Sequence, residues 1–546
     1  MNGLAQRIDR ALGEVCKGWD SMKYRWMRFI LDVPMNLHNR LIISLIIIVV
    51  GLSSLATAQT TGGTLTVAVQ AEPDGLNLIL TPATASYQLV MYNITEPLMR
   101  YTADRELVPL LATSYEVNEI DSGAEYTFHL RSGVVFHNGQ PFTAEDVKYT
   151  FDTLLDPDTA SPNASPFEYI KEVVAVDATT VKFITKGKAA SLVGYLASGK
   201  GTGIIPRGSD MEALRSNPIG TGPFMFSQWI PGDSLIFVKN PNYWKPGIPY
   251  LDKAVFKIIP DQAASLAALM SGDVDFVDRM VAENAIQIEN DPRFKIVSGP
   301  QNLAQLLAMN NARSPFDNVL VRRAIYYAID RDEIITATDL KPEWGSPIGS
   351  HMTPMNPYYV DLTGMYPHDP SKARELLAQA GYPNGFDTTI YLPQPYQLHV
   401  RTGEIIADQL REVGINCKLE IVEWGIWLDK VYSQCDYDMT VIGHDQGLEP
   451  AANFTKGFTR ANEDGTSAYY WQYTNYFLRE LLDRGNETFN VNERKMIYAM
   501  VQTLIADDAV LIWIQDPHQL EGMRAGVMGY RILPMYVFDL APIYLE

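Results

Sequence analysis

Between Thr388 and Gly443 the hydrophobic pattern changes period four times. Residues 388–392 (TTIYL) alternate as a strand, 403–413 repeat at helical spacing, and 415–424 (INCKLEIVEW) alternate again. Residues 426–432 return to the helical period, and 438–443 (DMTVIG) close as a β-branched strand. A strand followed by a helix and another strand implies parallel pairing, because parallel neighbours cannot be joined by a tight hairpin. This stretch therefore commits the chain to the α/β class. A chain of 546 residues has room for about three structural units.

The remainder reads consistently with that class. Thr64–Gln70 (TLTVAVQ) is a β-branched strand ended by the turn Glu72-Pro73-Asp74-Gly75. Residues 85–99 read as a short helix. Thr143-Ala144-Glu145-Asp146 has capping-box spacing and opens a helix whose apolar stripe is Val147, Phe151 and Leu154. A Pro/Gly-rich joint (PIGTGPF) follows Asn217, and Val510–Gln515 (VLIWIQ) is a late, almost wholly apolar strand. No internal repeat or low-complexity tract is visible.

Charge narrows the function classes. The net charge is −20, with 44 Lys and Arg against 64 Asp and Glu. No basic excess exists to displace the counterions of a nucleic acid, so a nucleic-acid partner is not expected. An acidic surface favours a soluble monomer. Residues 41–55 (LIISLIIIVVGLSSL) are an uncharged apolar run after Arg40, closed by Ala56-Thr57-Ala58. This is the order of a secretory signal, and about 15 residues are short for a spanning helix. Residues 1–58 are thus read as an export segment, with Met35 as a possible true start and an uncleaved anchor as the alternative. Removing them takes the net charge to −23 over 488 residues, since they hold seven Lys and Arg against four Asp and Glu.

Enzyme signatures are missing. Gly194–Gly201 (GYLASGKG) approaches a phosphate-binding loop, but Gly201 stands where Ser or Thr must hold magnesium. His129 and His137 have no metal-ligand spacing, and neither HExxH nor GxSxG occurs. No catalytic residue, metal or cofactor is expected. The three cysteines, Cys16, Cys417 and Cys435, are too few for a disulfide scaffold. Cys417 and Cys435 lie at the starts of two proposed strands, so a bridge between them is a possibility if those strands are neighbours.

Four longer segments carry a family resemblance: YTFHLRSGVVFHNGQPFTAEDVKYTFD at 126–152, NPIGTGPFMFSQWIPGDSLIFVKNPNYW at 217–244, MNNARSPFDNVLVRRAIYYAIDRDEII at 309–335 and DPSKARELLAQAGYPNGF at 369–386. In this order they resemble family 5 of the extracellular solute-binding proteins of ABC importers, the group with dipeptide-, oligopeptide- and nickel-binding members. The resemblance implies an α/β, two-lobe periplasmic binding protein fold of type II with an extra inserted domain. Lobe I would comprise 59–95, 218–303 and 515–546, with the insert at 96–217, and lobe II would comprise 304–514. The crossings would be Ala304–Asn310 and Leu511–Asp516. The implied function is an exported receptor that closes on a peptide-like or oligosaccharide solute and delivers it to the permease subunits of an ABC importer. The alternatives are an exported hydrolase working through cleft carboxylates and a sensor subunit for a membrane receptor.

The resemblance also points to ligand residues. In peptide-binding relatives the segment after the last βαβ strand carries a Trp and then an Asp that anchors the peptide's amino group. Here it reads His444-Asp445-Gln446, with His in the Trp place and Asp445 slightly early. A second relative pattern, Gln-Arg-Pro-Tyr, holds a dipeptide carboxylate through its Arg. Here Gln394-Pro395-Tyr396 lacks it, so no cation is expected in these two segments. Trp424 and Trp513 are the best placed of five tryptophans in this half of the chain, and Asn310 ends a proposed crossing. The expected ligand residues are therefore Asn310, Gln394, Trp424, His444, Asp445, Gln446 and Trp513.

Overall fold

The computed structural model describes residues 59–454, 457–458 and 469–546. The export segment lies outside them. Among the described residues no helix is long and apolar enough to cross a membrane.

The first half of the sheet is built from β1 (Thr64–Val69), β2 (Phe224–Ile230), β3 (Ser234–Lys239), β4 (Lys253–Ile258), β5 (Phe276–Val277) and β6 (Phe294–Pro300). The second half is built from β7 (Leu303–Met309), β8 (Phe386–Pro393), β9 (Ile415–Val422) and β10 (Met439–Asp445). The long β11 (Leu511–Arg524) joins the halves, giving the order β9-β8-β10-β7-β11-β5-β1-β4-β3-β2, with β6 also on β11. β8 pairs in parallel with both β9 and β10, as the alternation at 388–443 requires. β1 pairs in parallel with β4 and β5. The carboxyl ends of these parallel strands are where an α/β sheet places ligands.

Each half has its own core. Leu65, Val67, Phe237, Phe256, Phe276 and Phe538 pack in the first lobe. Leu306, Ile325, Ile390, Val441, Trp471 and Trp513 pack in the second. A third core, with Phe128, Phe151 and Phe183, belongs to a four-stranded antiparallel sheet spanning 112–185. There the capping box forms, with the Asp146 carboxylate accepting the Thr143 N–H at 2.8 Å. The joint after Asn217 needs its glycines: a Cβ on Gly220 would lie 2.0 Å from the Ile94 carbonyl oxygen.

Some sequence expectations move. The helix expected at 85–99 spans only Thr84–Val90, because Met91 and the left-handed Tyr92 turn the chain away. β7 pairs along its whole length with β10 and so lies inside the second lobe. The passage between lobes falls just before it, at Gln301 and Asn302, and again near Asp516 and Pro517, where β11 leaves β7 and the short strand Gly345–Pro347 for β6. Cys417 and Cys435 are free thiols. β8 lies between β9, which carries Cys417, and β10, which Cys435 precedes, so the two starts are not neighbours.

The second lobe holds a buried ion pair. Arg494 and Glu449 are 5% and 4% exposed, and Arg494 Nη1 donates to Glu449 Oε2 at 3.2 Å. Arg494 lies on the helix Val491–Asp507, as does Glu493, which pairs with Arg484 in the open. Removing one partner of a buried pair strands a charge, whereas an exposed pair is screened. Arg494→Met should therefore cost about 3–5 kcal/mol, and Arg484→Met less than about 1 kcal/mol, by urea unfolding. Thiol labelling of the denatured, unreduced chain from residue 59 onward should count both Cys417 and Cys435 as free.

Candidate functional site

The crossing is organised by one carboxylate. Asp516 is fully buried in β11. Its Oδ1 accepts the backbone N–H groups of Gln301 (3.2 Å) and Leu303 (3.1 Å), and its Oδ2 accepts that of Asn302 (3.2 Å). Burial pushes the Asp516 carboxyl up to about 7, against these bonds. Asn302 takes a left-handed φ of 65°, which asparagine tolerates well. Its side-chain amide donates to the carbonyls of Gln446 (2.7 Å) and Pro534 (3.3 Å), and it accepts from the Thr353 hydroxyl (2.6 Å). One residue of the crossing thus fixes a loop of the second lobe and the C-terminal tail.

Those segments enclose a cavity of about 230 Å³. Thr84 and Tyr87 line it from the first lobe, Lys200 from the inserted unit, Asp445 and Gln446 from the second lobe, and Tyr536 from the tail. The Tyr536 hydroxyl donates to Asp445 Oδ1 at 3.0 Å. The Gln446 amide donates to the His444 carbonyl, while its Oε1 is buried with no hydrogen-bond partner. Lys200 Nζ donates to the Pro82 carbonyl (2.5 Å) and to Thr84 Oγ1 (3.2 Å). Burial lowers its pKa, opposed by the negative charges of Asp445 and Asp74.

At the carboxyl ends of β8 and β9 stands an aromatic wall. Trp424 stacks on Trp427 with centroids 5.0 Å apart and planes 8° apart, and Tyr396 meets Trp424 edge-on at 5.2 Å. His444 stacks on Tyr470 and reaches its hydroxyl at 2.7 Å. His351 and His399 are buried nearby and pushed down to about 3, first by desolvation and then by His444, so both are neutral.

Five of the seven expected residues lie at the carboxyl edge of β8, β9 and β10 (Gln394, Trp424, His444, Asp445 and Gln446), and of these Asp445 and Gln446 line the cavity. Gln394 is exposed at the end of β8, its N–H donating to the Val422 carbonyl. Two do not. Trp513 is 0% exposed in the core, with its indole N–H toward His351 Nδ1 at 3.4 Å. Asn310 follows the far end of β7, where its amide donates to the Cys435 carbonyl, because β7 runs away from the crossing. Sequence reasoning missed Lys200 and Tyr536, which are distant in sequence and brought in by the fold. Lys200 lies in the glycine-rich GYLASGKG stretch, whose loop packs at the cleft rather than around a phosphate.

Contacts join the lobes around this site. Arg401 pairs with Glu283 at 3.0 Å, and Lys341 pairs with Glu289. The Ala190 N–H of the inserted unit donates to the Asn486 carbonyl at 2.9 Å, and Leu448 of the second lobe sits in the inserted unit's core. These contacts bridge the lobes.

The model of the bacterial extracellular solute-binding proteins, family 5, matches residues 106–466. The chain belongs to this family. The glutathione-binding protein GsiB of Pectobacterium atrosepticum is 31% identical over 346 residues, covering 62% of this chain and 65% of that protein. Heme-binding protein A of Haemophilus influenzae is 29% identical over 447 residues, covering 76% and 79%. Among solved structures, DppA of Helicobacter pylori in complex with the peptide STSA superposes with a TM-score of 0.70 at 28% identity, covering 89% of this chain and 99% of that one. CtaP of Listeria monocytogenes superposes with a TM-score of 0.79 at 26% identity, covering 89% and 100%. These relatives are binding proteins of two-lobe, periplasmic type, so the protein is a solute-binding component of an ABC importer and not an enzyme.

Asp516 gives the crossing a defined pH response. Its folded carboxyl is raised above the ordinary value of 3.8 to about 7. The folded state therefore holds a proton that the unfolded chain has released, and the resulting stability is full below pH ~3.8 and lost as pH rises through about 7. Asp516→Asn, which stays neutral, should flatten the rise in Tm between pH 8 and pH 5 relative to wild type. Identical slopes would show that the carboxyl does not titrate between pH 5 and pH 8.

Proposed function

We propose that this protein is an exported receptor that captures a peptide-like solute by lobe closure and holds the solute's amino end at Asp445. Residues 1–58 act as its export signal, the mature chain works as a monomer outside the cytoplasm, and the closed form docks on the importer's permease subunits. Most support comes from the cavity at the crossing. Asp445 is an exposed acceptor on its wall, at the carboxyl end of a parallel strand. An ammonium group supplies donors for it. Desolvating such a group on closure is favourable only against a countercharge, which Asp445 provides.

The relatives support the same class. GsiB is named for glutathione and DppA is solved with a tetrapeptide, both bearing free amines. The aromatic wall of Tyr396 and Trp424, backed by the buried Trp427, suits side chains beyond the amino end, and it is also the feature an oligosaccharide would use.

Isothermal titration of randomised tri- to pentapeptides against an oligosaccharide panel separates the two solutes. Peptides should bind, and Asp445→Ala should weaken them by more than tenfold, about 1.4 kcal/mol, with Tm unchanged. A lowered Tm with unaltered affinity would assign Asp445 to loop structure through Tyr536. Binding of oligosaccharides alone would overturn the peptide reading.

A further inference from the structure

One loop of the second lobe serves both the cavity and the inserted unit. Residues 445–449 read Asp-Gln-Gly-Leu-Glu. Asn302 holds this loop at the Gln446 carbonyl, and the Asn356 amide donates to the carbonyls of Gly447 (3.0 Å) and Leu448 (3.3 Å). Asn453 accepts the Gly447 N–H at 2.7 Å. Asp445 lines the cavity, while Leu448, 2% exposed, belongs to the buried cluster of the inserted unit. That cluster includes Leu192, Val193 and Leu196 of the helix Leu192–Ser198. The helix lays Gly194 against the loop, where a Cβ would lie 2.7 Å from Glu449 Oε2. Glycine is poor inside a helix, so its place here fits the close approach of the loop. Lys200, just after this helix, lines the same cavity as Asp445. The seating of Leu448 therefore sets where the inserted unit stands at the cavity.

The junction is built to part. The inserted unit, 96–217, leaves and rejoins the first lobe, so it moves with that lobe about the crossing. Beside Leu448 and Phe489, whose ring meets Tyr126 edge-on at 6.2 Å, the second lobe offers it polar groups. These are Glu449, Arg494 and the Asn486 carbonyl, which accepts the Ala190 N–H. Arg494 Nε donates to the Gly485 carbonyl (2.8 Å), and Nη1 donates to Glu449 Oε2 and the Tyr358 hydroxyl, both at 3.2 Å. Glu449 Oε1 also accepts the Ala451 N–H at 3.2 Å. All of these partners lie in the second lobe. Withdrawal of the inserted unit leaves them bonded and returns a paired charge, not a bare one, to water.

We propose that Leu448 is a closure latch, seated in the inserted unit when a solute fills the cavity and withdrawn when the lobes part at the crossing. This rests on the reading of the protein as a receptor that closes on its solute. Asp445 and Leu448 ride on one loop held by three asparagines, so the solute's anchor and the latch are fixed relative to each other. The latch slows release rather than capture, because Leu448 reaches its socket only after the lobes have met.

A Cβ on Gly194 would lie 3.4 Å from Glu449 Cβ, near the ~3.5–4.5 Å spacing of a disulfide. Gly194→Cys with Glu449→Cys therefore gives a pair that can be oxidised across the junction. The mature chain would also carry Arg494→Met, to strand no charge, and Cys417→Ser and Cys435→Ser, to leave no other thiol. Without peptide, oxidation should lower the radius of gyration in small-angle X-ray scattering, and reduction should restore it. Equal radii in the two redox states overturn the latch, because the junction would then never part. In the otherwise unaltered protein, Leu448→Ala should raise the dissociation rate of the randomised tri- to pentapeptides at least about tenfold, by stopped-flow tryptophan fluorescence. The association rate and the Tm of the empty protein should not change. A lowered Tm with an unaltered dissociation rate makes Leu448 ordinary core and overturns the proposal. If the cysteine variant fails to fold or to oxidise, the Leu448→Ala rates decide. Failure of wild type to bind any peptide overturns the peptide reading itself, while the scattering comparison still decides the latch.

Discussion

Two passages of chain join the lobes, and backbone N–H groups there have left one sheet without entering the other. A buried N–H without an acceptor is costly. The Asp516 carboxylate solves this for three consecutive residues, Gln301, Asn302 and Leu303, by reaching from one passage to the other. The left-handed Asn302 that results is what holds Gln446 and Pro534 in place. The cavity walls therefore depend on a hydrogen-bonded knot at the crossing. A hinge of this kind concentrates φ/ψ change in a few residues while the strands on either side stay rigid.

Not every contact between the lobes is strong. Arg401 and Glu283 are each about half exposed, at 49% and 50%. Such pairs contribute about 0–1 kcal/mol each, unlike the buried Glu449–Arg494 pair, which lies within one lobe. A solute can shift an open–closed equilibrium only by its differential affinity for the two states.

The parallel core of the second lobe was legible in the sequence because strands joined by crossover helices are local in the chain. The same locality placed Gln394, Trp424 and His444–Gln446 at one edge, since each lies at the carboxyl end of a strand of that unit. Asn310 and Trp513 misled for the same reason. Both belong to strands of the right kind, but polarity and apolar character do not reveal the direction of a strand or which face meets the core. Lys200 and Tyr536 come from distant parts of the chain, and only the crossing topology brings them to one cavity. The possible Cys417–Cys435 bridge failed because strands consecutive in sequence are not neighbours in the sheet: β8 separates β9 from β10.

On the proposed mechanism the lobes close on a peptide-like solute by bending at the Asp516 crossing. Small-angle X-ray scattering of the mature protein, with and without a saturating peptide identified by calorimetry, tests this. The radius of gyration should be smaller with peptide than without. A radius that stays unchanged while calorimetry shows full occupancy would contradict it.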